Sequence, residues 1–271
     1  MNDLVLGGAG LVGAPLARHL RAAGRTVDVV DLKLGTDARE LDLSRYSDSD
    51  RIWFLAWDTG GARYLSDASA QHQMYRSNCL LSANVFDAIA RSGRPALFVT
   101  SQLAGQHNAY GLSKLLAEHW ARALGLKIAR LWNVYGWEEP GSRAHVVAHM
   151  VHSALTSGTV ECQTDGQERR RLLFDEDCAE GLVRLFDGPQ QEAEIAGSEW
   201  VSIADLARTI GRAIGVPCRL GEFHGAECLI DPERSPDGWQ PRTSLEQGIA
   251  RVVAEARAWL EVKRQSATGA R

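Results

Sequence analysis

The segment Leu4-Val5-Leu6-Gly7-Gly8-Ala9-Gly10-Leu11-Val12-Gly13 constrains this chain more than any other. An apolar run enters a cluster of glycines, and Val12, Leu16 and Leu20 then recur at helical spacing before Gly24, which reads as strand, tight turn and helix. Thr26 to Val30, Ile52 to Trp57, Ala96 to Val99 and Ile128 to Trp132 are further short apolar or β-branched runs, separated by longer helical stretches. Strands buried on both faces and joined by crossover helices have this pattern, so the expected class is α/β with a parallel sheet.

The longest helix candidates are Asp67 to Arg91 and Tyr110 to Ala123, each with one apolar and one polar face, the second stopping at Gly125. From about Glu138 the pattern loosens: Pro140 and Gly141, a helix near Ala144 to Thr156, the basic run Arg169 to Arg171, and a helix near Ile203 to Ile214. The expected organisation is a Rossmann-type doubly wound domain over residues 1–137, with a returning strand near 170–177. A smaller, mixed α/β C-terminal substrate lobe covers 138–262, and a frayed polar tail covers 263–271.

With 30 Lys and Arg against 34 Asp and Glu, the surface has no broad electrostatic drive toward nucleic acid or anionic lipid. Cys79, Cys162, Cys178, Cys218 and Cys228 are scattered and form no C-x-x-C pair, which fits free thiols in a reducing compartment, and the cytoplasm is the expected location. No export signal or membrane-spanning run is expected. His145, His149 and His152 fall on one helical face, but no H-E-x-x-H string or placed carboxylate accompanies them, so no metal site is expected.

The glycine segment can be spelled G-x-x-G-x-x-G from Gly7 or G-x-G-x-x-G from Gly8. Glycines there permit a tight turn, let backbone approach a pyrophosphate and seat the helix close to the strand, so that the helix N-terminus faces the phosphate charge. Asp31, 18 residues beyond Gly13 at the end of the next strand, can hold a ribose 2′-OH and would repel a 2′-phosphate. The cofactor expected is therefore NAD, with Lys33 the one residue nearby that leaves room for NADP.

Tyr110-Gly111-Leu112-Ser113-Lys114 places a phenol and an ammonium four residues apart, on one face of a helix. A neighbouring cation favours the ionised tyrosine and fits it for general-base work on a sugar hydroxyl. Ser101, ending the strand from Ala96, would offer a hydroxyl to the same oxygen.

With these residues in place, the chain resembles the extended short-chain dehydrogenase/reductase family of NAD-dependent epimerases and dehydratases, whose pattern is G-x-x-G-x-x-G, a strand ending in Ser, then Y-x-x-x-K. Asp42-Leu43, Leu55-Ala56-Trp57, Asn78, Arg130 to Gly136, Arg170 to Asp177 and Gly238 to Pro241 match further family segments, so the likeness spans almost the whole chain. The resemblance implies that Gly7, Gly10, Leu11, Val12, Gly13, Asp31, Leu32, Asp42, Leu43, Leu55, Ala56, Trp57, Asn78 and Thr100 line the NAD site. Tyr110 and Lys114 would serve cofactor and chemistry together, with Ser101 as the third catalytic residue. Ser101, Gln102, Asn133 and Arg170 would face a nucleoside diphosphate sugar, and two long helices would pair subunits into a homodimer.

Two departures from the family pattern bear on the reaction. Nine positions separate Ser101 from Tyr110 where many relatives carry a longer loop. Gln102 also stands where family dehydratases and decarboxylases carry an acid, and an amide does not titrate in this range. Tyr, Ser and Lys with NAD suffice for a 4-epimerase working through a transient ketone. The same residues would serve a 4-ketoreductase, a dehydratase or decarboxylase of the family is disfavoured by Gln102, and a non-catalytic dinucleotide sensor is the alternative outside enzymology.

Overall fold

The computed structural model describes residues 1–227 and 229–268. Cys228, one of the thiols read as free, and residues 269–271 of the expected tail lie outside the described residues, while Cys79, Cys162, Cys178 and Cys218 are free cysteines. β1 (Asn2–Leu6) enters the glycine turn, α1 (Gly13–Ala22) leaves it, and β2 (Thr26–Val30) follows. Three short 3₁₀ segments, Leu32–Leu34, Ala38–Glu40 and Leu43–Tyr46, lead to β3 (Arg51–Phe54). Then come α2 (Ala62–Leu65), α3 (Gln71–Ser92), β4 (Ala96–Ser101), α4 (Ala109–Ala123), β5 (Lys127–Leu131) and β6 (Val134–Tyr135).

The second half contributes α5 (Val146–Ser157), β7 (Val160–Glu161), β8 (Arg169–Arg170), β9 (Leu173–Phe174), α6 (Asp175–Asp187) and β10 (Glu192–Ile195). β11 (Val201–Ser202), α7 (Ile203–Ile214), β12 (Cys218–Arg219) and α8 (Leu245–Thr268) close the chain.

The main sheet has six strands in the order β10-β5-β4-β3-β1-β2, every neighbouring pair parallel. Successive strand residues point to opposite faces. Leu4, Leu6, Ile52, Phe54 and Phe98 therefore pack with Phe86 and Ala117 under α3 and α4, while Val5, Trp53, Leu97 and Val99 pack under α1 and α6. This is the Rossmann-type doubly wound sheet expected from the sequence. The order reverses between β1 and β3, and in open α/β sheets the crevice beyond the strand ends at such a reversal is where ligands bind.

The sixth strand is β10 at Glu192–Ile195, not the stretch 170–177 expected to return to the sheet. That stretch holds only the two-residue strands β8 and β9 and the start of α6, whose first turn carries Asp175, Glu176 and Asp177. Carboxylates there complement the positive end of the helix dipole, and Cys178, Leu182 and Leu185 then follow at helical spacing into the core. The first long helix starts at Gln71 rather than Asp67, because Asp67 accepts from the Ser69 N–H at 2.9 Å and closes a separate turn. The tail is helical through Thr268, since α8 carries Ile249, Val252, Val253 and Ala256 into a third core with Val147, Val151, Leu206 and Ile210. Among the described residues no helix is long and apolar enough to cross a membrane.

Candidate active site

The glycine turn closes on the reversal point of the sheet. Gly7 has φ +88°, and a Cβ there would lie 2.6 Å from the Ala56 nitrogen, because Leu55 and Ala56 both donate to the Leu6 carbonyl as the chain leaves β3. A Cβ on Gly13 would meet the Gly7 carbonyl and sit 2.7 Å from Gly8 Cα, so helix and strand approach as closely as backbone permits. No side chain caps α1 and its first turn holds no acid, which leaves the positive helix end open to an anion. Asp31 stands at the end of β2 beside this turn, its Oδ2 accepting from the Ala9 N–H at 2.9 Å and its Oδ1 from the Lys33 N–H at 2.9 Å. The cradle, the open helix end and the acid fit a dinucleotide without a 2′-phosphate.

The other residues expected around the cofactor are placed unequally. Val12 and Leu55 pack against one sheet core, and Ala56 and Trp57 against the other. Leu11 is half-buried in the turn, and Leu32 is exposed in the 3₁₀ segment after Asp31. The exposed Asp42 carboxylate accepts from the Ser44 backbone and hydroxyl through Oδ1, and Leu43 is buried in the core. Asn78 is fully buried, accepting from the Asp58 N–H at 2.8 Å and donating to the Asp58 carbonyl at 3.2 Å. It shapes the loop after β3 and offers no free donor to a ligand. Thr100 donates to Glu118 at 2.8 Å, and Glu118 also binds Arg130 at 2.8 Å.

Tyr110 and Lys114 share the buried face of α4, whose start is fixed by the Asn108 side chain accepting from the Gly111 N–H at 2.8 Å. Tyr110 is buried at the start of α4, and Ser101 is buried at the end of β4. Ser101 Oγ accepts from the Leu103 N–H at 3.1 Å, which leaves its proton to donate. Lys114 Nζ donates to the Val99 carbonyl at 2.7 Å and lies 3.9 Å from the centre of the Trp57 ring.

These placements correct one expectation. Burial pushes the Tyr110 phenol up, and the opposing influence comes from the Ser101 and Thr59 hydroxyls rather than from Lys114. Burial pushes the Lys114 ammonium well below its ordinary range, with Glu118 opposing the shift. A pocket that excludes water penalises both charges, so the pair does not ionise the phenol by proximity alone.

Around the substrate position, Gln102 is half-buried and donates its backbone N–H to Leu131 at 3.0 Å. Asn133 adopts φ +37°, and its Nδ2 is buried without a partner, a donor that a ligand oxygen would satisfy. Arg170 is half-buried and put to a different use: it donates to the Arg169 and Ala226 carbonyls, both at 2.7 Å, and clasps the segment before residue 228.

The loop from Asp58 to Leu65 was not singled out in the sequence, although Gly60-Gly61 after a strand end signals close approach. A Cβ on Gly61 would lie 2.5 Å from the Ala144 carbonyl. Arg143 donates to Asp58 at 2.9 Å and to the Tyr64 hydroxyl at 2.8 Å, and that hydroxyl donates to Asp58 at 2.9 Å. Gln71 ties the loop's far end to the head of α4, donating to Leu65 at 3.0 Å and accepting from the Ala109 N–H at 2.7 Å. Leu65, Met74, Ala109 and Tyr110 then form a small apolar cluster with Trp57 and Tyr64.

The model of the NAD dependent epimerase/dehydratase family matches residues 4–196, and the chain belongs to that family. It is accordingly an enzyme of the extended short-chain dehydrogenase/reductase type, and its cofactor is NAD. Among its relatives, UDP-glucuronic acid decarboxylase 2 of Arabidopsis thaliana is 26% identical over 310 residues, covering 95% of this chain and 68% of the relative. The dTDP-4-dehydro-6-deoxy-D-allose reductase of Streptomyces bikiniensis is 26% identical over 317 residues, covering 90% of this chain and 94% of the reductase. In fold, the chain is similar to the UDP-glucuronic acid 4-epimerase of Bacillus cereus, solved with UDP-glucuronic acid and NAD, at a TM-score of 0.81 and 19% identity over 96% of this chain and 100% of that one.

Proposed function

We propose that this protein is an NAD-dependent nucleotide-sugar 4-epimerase, working as a cytoplasmic homodimer. The observation that carries the reading is the pair Tyr110 and Lys114 on the buried face of α4, with Ser101 ending β4 and followed by a Gln102 that cannot titrate. Bound NAD supplies the reversible hydride acceptor. Tyr110 Oη, acting in its phenolate form, takes the proton of the sugar's C4 hydroxyl, so one O–H bond breaks as another forms, and the Ser101 hydroxyl donates to the oxygen that becomes a carbonyl. After the ketone turns, Tyr110 returns the proton to the oxygen, and hydride that bound NAD would give back to the other face of C4 sets the opposite configuration. General acid–base catalysis of this kind contributes roughly 10²–10⁴-fold.

Dehydration and decarboxylation require a further acid or base beyond the tyrosine, and the amide of Gln102 supplies neither. The unpartnered Asn133 Nδ2 supports a hold on the diphosphate. Arg170 would join it only on releasing Ala226. Leu80, Leu112 and Leu116, exposed on α3 and α4, support pairing through these two helices.

The test is to incubate the purified protein with NAD and a panel of nucleoside diphosphate sugars and to follow the sugar by NMR. Inversion at C4 is expected. Products that have only lost water or carbon dioxide would refute the reading, and net reduction with release of oxidised cofactor would mark a ketoreductase.

A further inference from the structure

We infer that Trp57 is a positioning residue that acts through Lys114: its ring face, with the Val99 carbonyl, holds the buried ammonium on the side of α4 that also carries Tyr110. The inference deepens the proposed reaction and rests on it only for the effect on turnover.

The lysine needs such a hold. Lys114 is 3% exposed, and burial penalises its charge. One of its donors goes to the Val99 carbonyl at 2.7 Å. The charged groups around it are committed to others: on α4, Glu118 accepts from Thr100 of β4 and pairs with Arg130 of β5, and beyond β3, Asp58 pairs with Arg143. What faces the ammonium instead is aromatic carbon, with Nζ 3.9 Å from the centre of the Trp57 ring and 4.9 Å from that of Phe98. A cation over an aromatic face is attracted by the ring quadrupole, most strongly over tryptophan and where water is excluded. The nearer ring is the tryptophan, so Trp57 supplies the larger share of the hold.

The chain fixes Trp57 from both sides. Leu55 and Ala56 donate to the Leu6 carbonyl at 2.9 and 2.8 Å, which turns the backbone at the end of β3. Asn78 then clamps Asp58 through both its N–H and its carbonyl, at 2.8 and 3.2 Å. Between these anchors the ring packs on Phe54 and Phe98, with ring centres 6.1 and 5.7 Å apart, and against the cluster of Leu65, Met74, Ala109 and Tyr110. The indole N–H is buried and has no partner among the described residues, so packing rather than hydrogen bonding sets the ring. One side chain therefore bears on the lysine and on the surroundings of the phenol together.

The experiment uses the full-length protein with NAD bound and isotope-labelled lysine, which the chain carries only at Lys33, Lys114, Lys127 and Lys263, so that NMR reads Lys114 directly. In the wild type the ε-protons of Lys114 should lie upfield of those of the other lysines, shielded by the ring face, and show nuclear Overhauser contacts to an indole. Unshielded ε-protons without such contacts would overturn the inference before any variant is made. Trp57→Leu should abolish the upfield shift and lower the apparent pKa of the lysine by about one pH unit, with Trp57→Phe, which keeps an aromatic face, falling between. In Trp57→Leu, kcat for the sugar should fall about 10-fold with KM little changed, and the alkaline fall of the pH–rate profile should move to lower pH, while Trp57→Phe recovers most of the rate. A Leu variant whose Lys114 titrates as in the wild type would overturn the assignment, and so would one in which the lysine moves while kcat and the pH profile stay unchanged. If the lysine responds but no protein, wild type included, epimerises a sugar, the hold of Trp57 on Lys114 stands and the epimerase reading fails instead.

Discussion

Tyr110 was expected to be tuned by a lysine four residues away, and the structure buries both groups, which pushes the phenol up and the ammonium down. The i, i+4 spacing did bring both side chains to one buried face, but burial acts on each charge separately, and Lys114 turned its donor to the Val99 carbonyl. Tyr110→Phe should therefore leave the fold and NAD affinity intact, because the ring still fills the cluster with Met74 and Ala109, while turnover falls by at least about 10²-fold. NAD titration by fluorescence quenching beside an NMR assay of the sugar checks both halves, and retained turnover would remove the phenol from the mechanism.

The element that matters most to the site is the loop between β3 and α3, for which neither period nor propensity gave a signal. It is held by side chains distant in the chain, Asn78 and Arg143, and by Gln71 at the head of α3, which reaches Ala109 at the head of α4. Arg143→Ala tests the outer clasp. Its guanidinium is mostly solvated, so removing the ion pair with Asp58 should cost under about 1 kcal/mol of global stability. Amide exchange should nonetheless quicken about 3- to 5-fold across residues 58–65, and kcat should fall by a similar factor. Hydrogen-exchange mass spectrometry reads the first effect, and an unchanged loop would show that Gly61 and Gln71 suffice to hold it.

At the scale of the whole molecule, two faces carry predictions. Leu116 is 55% exposed on α4 and Leu80 47% exposed on α3, on helices whose other faces form the core. Leu116→Arg should weaken a homodimer by at least about 100-fold in Kd, ~3 kcal/mol, without unfolding the chain. Sedimentation velocity checks this, and an unchanged sedimentation coefficient would exclude pairing through these helices.

The second face is where Asp175, at the head of α6, meets Glu255 on α8 and Arg18 on α1. Burial first, and then Glu255, push the Asp175 carboxyl up to about 7, and Arg18 opposes them. A folded-state value above the unfolded one means that the native state binds the proton more tightly. The favourable contribution is complete below the unfolded carboxyl range near about pH 4, is lost as pH rises toward about 7, and changes no further above it. Asp175→Asn keeps a neutral side chain there, so its stability relative to the wild type should grow from nothing near about pH 4 to on the order of 2 kcal/mol near about pH 8. Urea melts at the two pH values measure this, and a difference that does not vary with pH would contradict it.

The chain's local patterns determined the β-turn-α entry, five of the six sheet strands, the acid at the end of β2 and the Tyr-Lys spacing on α4. Each of these is set by residues within a few positions of one another, through periodicity, glycine sterics and helix geometry. The sixth strand at Glu192–Ile195, the helical tail, the Arg170 bond to Ala226 and the bond of Lys114 to the Val99 carbonyl were decided only in three dimensions. Burial and hydrogen-bond partnership depend on which distant segments the fold brings together, and no short window of sequence carries that information.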